Sequence, residues 1–288
     1  MVKGLPQYLI GMSSLDVELH GLVNSNITLF YMKSALVGKI IKTDAIDVST
    51  LLETPGKIYT FLNPVSYLSA LDNKDLFAKF DGIYADGSIL VSAIKLLYGH
   101  KVTRHSFDMT SLAPTLLKYA EENKKSVYIV ASRQEQVKKA VEIFKKLYPQ
   151  LLFAGYRNGY FASEEERQKE AKHIVEVSSD FLIVGMGTVM QEKFLLKVKE
   201  AGFNGIGFTC GGFIHQTAKG EIDYYPAWVD KLNLRFIYRM YKEPHTRKRY
   251  LQAALLFPMR FICERLRSCF EFLQKVFLVL MFPFSCVL

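Results

Sequence analysis

A carboxylate that ends a buried strand just before a helix is placed for either of two jobs. In Tyr84-Ala85-Asp86-Gly87 the side chain of Asp86 can cap the helix by accepting a backbone N–H, or take a proton from a hydroxyl as a general base. Further on, Phe181-Leu-Ile-Val-Gly185-Met-Gly187-Thr188-Val-Met-Gln191-Glu192 runs a buried strand into a Gly-x-Gly turn and then a helix. Glycines there let the backbone approach a phosphate at the positive end of a helix. Thr188 and Gln191 also have the spacing of a capping box. Gly205-Ile-Gly207-Phe-Thr-Cys210-Gly211-Gly212-Phe213 again follows a strand and offers consecutive N–H groups as an anion nest. The fourth loop, Gly155-Tyr-Arg-Asn158-Gly159-Tyr160-Phe161, is an Asn-Gly turn with an aromatic pair, suited to a core or to base stacking.

Other chemistries lose their residues. Met190 stands where the third glycine of a dinucleotide fingerprint falls, which weakens a nucleotide-binding oxidoreductase reading. No GxSxG, HExxH or Walker A sequence occurs, and the six histidines show no metal-ligand spacing. The cysteines Cys210, Cys263, Cys269 and Cys286 form no CxxC pair, which points to a reducing compartment rather than a disulfide scaffold or zinc ribbon.

The loops need a scaffold, and the sequence supplies one. Strand patterns at Lys57–Leu62, Gly82–Ala85, Ser126–Val130, Leu151–Tyr156, Phe181–Val184 and Asn204–Phe208 alternate with helical patterns at Val65–Phe80, Ser88–Tyr98, Thr110–Glu122, Glu135–Leu147, Ser163–Ser178 and Val189–Ala201. In Glu135–Leu147 the apolar stripe Val137, Val141, Phe144, Leu147 is that of a helix packed on a sheet. This alternation predicts an α/β fold: a Rossmann-like, mainly parallel sheet flanked by helices, with ligands beyond the carboxyl ends of the strands. The first 55 residues read as a mixed α/β lead-in without the long apolar core of a signal peptide.

Charge divides the chain in two. Of the net +9, +7 falls in residues 229–288, where 11 Lys and Arg face 4 Asp and Glu. The sequence therefore divides into an α/β domain over 1–228 and a helical, basic and apolar appendage over 229–288. A near-neutral body argues against a nucleic-acid binder; a basic, apolar tail argues for an anionic membrane surface. Residues 276–288 would span about 20 Å as a helix, short of the roughly 30 Å of a bilayer core, and Pro283 interrupts them. The expectation is a helix lying in the headgroups, with Arg260, Arg265, Arg267 and Lys275 toward lipid and Leu255, Leu256, Phe257, Phe261, Ile262, Leu266 and Phe270 on its apolar side. The competing readings are an ordinary helix packed on the body and a non-enzymatic membrane-associated scaffold.

Taken together, nine short blocks in order resemble the WecG/TagA/CpsF family, glycosyltransferase family 26: Asn63-Pro64, Tyr84-Ala85-Asp86-Gly87, Val102-Thr-Arg104 with Asp108, Gly159-Tyr160-Phe161, Gly185-Met-Gly187 with Gln191-Glu192, Gly211-Gly212, Pro226-x-Trp228, Tyr238-Arg239 and Glu243-Pro244. The resemblance implies an inverting, metal-independent, cytoplasmic enzyme, peripheral on the inner face of the bacterial membrane. Such an enzyme moves a sugar, of N-acetylmannosamine type or another hexose or hexosamine, from a UDP-sugar to a polyprenyl-diphosphate-linked sugar, in surface-polysaccharide synthesis. It implies Asp86 as general base, and Arg104 and Gln191 as substrate or diphosphate contacts, with Asn63 and Thr60 lining the same pocket. Tyr160, Gly185, Gly187, Gly211 and Gly212 become nucleotide or diphosphate contacts. Arg239, Arg247 and Arg249 belong to a basic appendage that closes over the site at the membrane. A tail of this kind also suits a homo-oligomer. The chain departs from the family pattern at Thr188-Val189-Met190, where a cation is lost, and at His215, Tyr224-Tyr225, Asn233-Leu234-Arg235 and the stretch from Arg104 to Asp108. The donor and acceptor sugars are therefore not carried over.

Overall fold

A computed structural model describes residues 36–41, 55–220, 226–232 and 234–281, with side chains to residue 270 apart from those of residues 227 and 230. Most of the expected lead-in, Tyr224-Tyr225, Asn233 and Pro283 lie outside the described residues.

Six strands, β1 (Ile58–Leu62), β2 (Gly82–Ala85), β3 (Ser126–Ala131), β4 (Leu152–Arg157), β5 (Phe181–Gly185) and β6 (Ile206–Thr209), form one sheet in the order β2-β1-β6-β5-β3-β4. Every pairing among them is parallel. Strands β2, β5 and β6 are buried at every residue, as strands covered on both faces must be, and they read as unbroken apolar runs. The edge strand β4 is half-exposed.

Helices α1 (Pro64–Leu71), α2 (Lys74–Ala78), α3 (Ser88–Tyr98), α4 (Leu112–Glu122), α5 (Gln134–Leu147), α6 (Glu164–Val177), α7 (Met190–Glu200) and α8 (Phe213–Ala218) flank the sheet. In α5, Val137, Val141 and Phe144 are buried; Leu147, expected in the same stripe, is exposed at the last residue of the helix. The single helix expected over Val65–Phe80 is two. Asn73 leaves helical geometry at φ −132, ψ 40, and its amide donates to the Ser69 carbonyl at 2.8 Å, a local bond that competes with helix continuation.

After the sheet come α9 (Ala227–Lys231), α10 (Arg235–Lys242) and α11 (Arg247–Met281). One face of α11 packs on the body. The rings of Phe257 and Phe261 meet Tyr67 of α1 at 5.8 and 5.2 Å, and Phe261 meets Tyr98 of α3 at 5.6 Å. Lys74 pairs with Glu264 at 2.7 Å. Arg260 pairs with Asp72, and Arg265 donates to the Leu97 carbonyl at 3.0 Å while lying over the Tyr98 ring. Arg260, Arg265, Phe257 and Phe261 therefore face the protein and not lipid, because α1, α2 and α3 present an acid, a carbonyl and two tyrosine rings at those positions. Phe261→Ala should cost about 3–5 kcal/mol, the usual toll of emptying an aromatic site. Urea denaturation reads it, and an unchanged midpoint would mean that α11 does not pack as described.

Candidate active site

The carboxyl ends of β1, β2, β5 and β6 open onto one cavity of about 630 Å³, roofed by α10 and the start of α11. That volume is in the range of small-molecule sites. The loop after β1 contributes Asn63, the loop after β2 Asp86, and the segment before α4 Arg104, Ser106 and Asp108. Gln191 comes from α7, Gly211 and Gly212 from the loop after β6, and Arg235 and Arg239 from α10.

Asp86 is not a cap. Gly87 holds the N-cap position of α3 without any side-chain cap bond, and the Asp86 backbone N–H donates to the Leu62 carbonyl at 2.7 Å. Its carboxylate accepts no hydrogen bond from a described residue. Loss of solvent at the cavity floor pushes its pKa up to about 6, and the nearby negative charge of Asp108 adds to this; Arg104, Arg235 and Arg239 oppose it. A carboxylate so poised near neutral pH, with no bond to satisfy it, has the properties of a general base.

The cations are placed by the fold. Arg235 donates to Asp108 at 3.1 Å and to the Thr110 hydroxyl at 2.6 Å, tying α10 to the segment before α4. Gly212 leaves room beside Nη2 of Arg239, which would lie 2.9 Å from a Cβ built there, so the guanidinium sits close against the loop after β6.

Beneath the floor runs a buried network. Thr60 donates to Glu192 at 2.9 Å and shares a 2.8 Å bond with Thr209. Gln191 donates to Glu192 at 2.8 Å, and the Gly211 N–H donates to Gln191 at 3.2 Å. Burial pushes the Glu192 carboxyl up, against the donors from Gln191, Thr60 and Val189. The capping box expected from Thr188 and Gln191 is absent; Glu192 instead accepts the N–H of Val189, which sits at φ 75, a costly conformation for a β-branched residue. Gln191 is thereby aimed at the anion-nest loop.

The structure thus gathers Asn63, Asp86, Arg104, Gln191, Gly211, Gly212 and Arg239 around one cavity and leaves the other expected residues outside its lining. Thr60 is buried below the floor. A Cβ on Gly185 would meet the Gly211 carbonyl at 2.8 Å and Cys210 Sγ at 2.7 Å, so Gly185 lets the two floor loops touch. Gly187 forms the left-handed turn beside it. Tyr160, 66% exposed, stands on the loop after β4, where Gly159 adjoins Met186. Arg247 donates to the Met240 carbonyl at 2.9 Å and Arg249 lies 6.0 Å from the Tyr250 ring. Asn63 caps α1, its Oδ1 accepting from Val65 and Ser66. Arg235 is the site residue the sequence reading missed, although its i,i+4 spacing to Arg239 put both on one helix face. Among the described residues no group of three or more His, Cys, Asp or Glu is placed to hold a metal ion.

The sequence model of the Glycosyl transferase WecG/TagA/CpsF family matches residues 41–269, most of the chain and every segment that lines the cavity. The chain belongs to this family. Among curated relatives of this glycosyltransferase is a UDP-Gal:alpha-D-GlcNAc-diphosphoundecaprenol beta-1,4-galactosyltransferase of Shigella boydii, 34% identical over 226 residues, which are 78% of this chain and 94% of the relative. An N-acetylglucosaminyldiphosphoundecaprenol N-acetyl-beta-D-mannosaminyltransferase of Bacillus subtilis (strain 168) is 24% identical over 233 residues, 80% of this chain and 84% of that protein. An enzyme of the same name from Bacillus spizizenii is 23% identical over 209 residues.

The raised Asp86 pKa has a consequence for stability. Between its ordinary 3.8 and about 6 the folded glycosyltransferase binds more protons than the unfolded chain, so this group makes stability fall as pH rises through that window. Asp86→Asn should therefore be more stable than the parent above pH 7, by on the order of 2–3 kcal/mol. The difference should vanish below about pH 4. Denaturation curves at the two pH values check this; an equal or lower stability of the variant at pH 7.5 would contradict it.

Proposed function

We propose that this glycosyltransferase moves a hexose, galactose in preference to N-acetylmannosamine, from its UDP-sugar to a GlcNAc-diphosphate-polyprenol, with inversion and without a metal. The observation that carries the reading is the Asp86 carboxylate, which accepts no hydrogen bond from a described residue, in one cavity with Arg104, Arg235 and Arg239. The galactose preference is supported by the greater identity to the galactosyltransferase, 34% against 24%.

In this reading an acceptor hydroxyl gives its proton to Asp86 as its oxygen attacks the anomeric carbon from the face opposite UDP. The bond from that carbon to the UDP oxygen breaks, and UDP leaves with the electron pair. Arg104, the Gly211 and Gly212 N–H groups and the side chain of Gln191 stabilise the charge that develops on the diphosphate of UDP. The nucleotide extends over the Gly185–Gly187 turn toward Tyr160.

The acceptor is lipid-linked, which gives α11 a role at the inner face of the membrane. Opposite its packed face, Leu251, Leu255, Met259, Ile262, Leu266 and Phe270 are exposed at spacings of three and four, one continuous apolar stripe. Exposed Arg247, Lys248, Arg249 and Arg267 accompany it. No helix among the described residues is long and apolar enough to cross a membrane. A helix packed on the body with an apolar outer stripe and basic flanks supports binding in the headgroup plane.

Two measurements follow. A panel of UDP-sugars with a GlcNAc-diphosphate-lipid acceptor should give a hexosylated product with UDP-galactose, undiminished by a chelator, and about a hundred- to ten-thousand-fold slower in Asp86→Asn. Full activity in that variant, or loss with chelator restored by manganese, would reject the respective parts of the mechanism. A Leu255→Glu/Ile262→Glu double variant, altered only at exposed positions, should lose sedimentation with anionic liposomes; undiminished sedimentation would remove the membrane role of α11.

A further inference from the structure

Helix α10 lines the cavity with two adjacent rows. Arg235 and Arg239 form one, and Phe236 and Met240, each one residue further on, form the other. Both rows have i,i+4 spacing, so a cationic wall lies directly beside an apolar one. The apolar wall continues through Ile89 at the start of α3 and through Leu251, Ala254, Phe257 and Pro258 of α11. Ala254 and Pro258, one turn apart, carry small or compact side chains, so the wall there is open. Ile89 and Leu251 are exposed, which places the mouth of the cavity at this apolar end. Leu251 is at once a lining residue and the first member of the outer stripe Leu251, Leu255, Met259, Ile262, Leu266, Phe270. An apolar path therefore leads without interruption from the outer face of α11 into the cavity and up to the guanidiniums.

From this continuity we propose that the slot between α3, α10 and α11 binds the first isoprene units of a polyprenyl diphosphate, with the diphosphate at Arg235 and Arg239. The proposal rests on the transferase reading for the identity of the occupant and adds where the lipid runs. An isoprenoid is the one part of such an acceptor that needs an apolar wall, and it begins at the diphosphate, as the slot begins at the arginines. In the bound acceptor the sugar lies at Asp86, the diphosphate under α10 and the chain against Met240, Leu251 and Ala254. The lipid then leaves the protein along the stripe that faces the bilayer.

Calorimetry of the full chain, without detergent or vesicles, compares inorganic diphosphate with geranyl and farnesyl diphosphate below their aggregation limits. Farnesyl diphosphate should bind on the order of tenfold or more tightly than inorganic diphosphate, as expected when apolar carbons leave water for an apolar wall. Ala254→Trp, which fills the slot from an exposed helix position, should bring the ratio close to one. Equal affinity for all three ligands in the parent protein would overturn the slot, as would an unchanged ratio in Ala254→Trp that keeps the parent's melting transition. The two readings fail separately. Tight, Trp-sensitive farnesyl binding with no sugar transfer to any acceptor would sink the transferase reading and leave the slot, and transfer with no chain-dependent binding would do the reverse.

Discussion

The Asp86 side chain, a part-buried carboxylate at the floor of a cavity, accepting no hydrogen bond from a described residue, is the feature on which the rest of the site depends. The parallel pairing of β1 and β2 fixes its backbone, with the Asp86 N–H on the Leu62 carbonyl, and Gly87 holds the N-cap position of α3 in its place. What remains is electrostatics. Burial and Asp108 disfavour its charge; Arg104, Arg235 and Arg239 favour it. Two of those three cations come from α10, so the body and the C-terminal helices complete a single charge balance. Withdrawing α10 would leave Asp86 facing Asp108 with Arg104 alone.

The rest of the C-terminal segment follows from keeping α10 in place. Arg235 is held by Asp108 and Thr110, and Arg239 sits close against Gly212 of the loop after β6. Helix α11 then anchors the segment through Phe257 and Phe261 on Tyr67 and through the Lys74–Glu264 pair. Its opposite face carries the exposed apolar stripe, a surface that folding alone does not explain. The same helix thus joins the cavity to whatever that stripe meets.

Much of this was legible in the chain. Alternating apolar runs located all six strands within about two residues, because strands covered on both faces have no polar alternation to blur them. Asp86 stood out for its place at a strand's carboxyl end, as did the glycine loops after β5 and β6. The failures share a cause, which is that a side chain's partner decides its role. Arg260 and Arg265 look like lipid-facing cations until Asp72 and the Leu97 carbonyl are seen beside them. Thr60 has the type of a pocket residue but spends its hydroxyl on Glu192. Gln191 matches a capping box yet accepts from Gly211 across 20 residues. Arg235 reads in the sequence as a departure from a family pattern, yet its i,i+4 register with Arg239 puts both on one helix face, and both line the cavity.

The central claim is that Asp86 acts as a base whose pKa the cavity holds near 6. The pH dependence of kcat/KM for sugar transfer reports that group in the free enzyme. The account predicts a rate that rises tenfold per pH unit below about 6 and levels off above it. A rate independent of pH from 4.5 to 8, in protein that stays folded throughout, would contradict it.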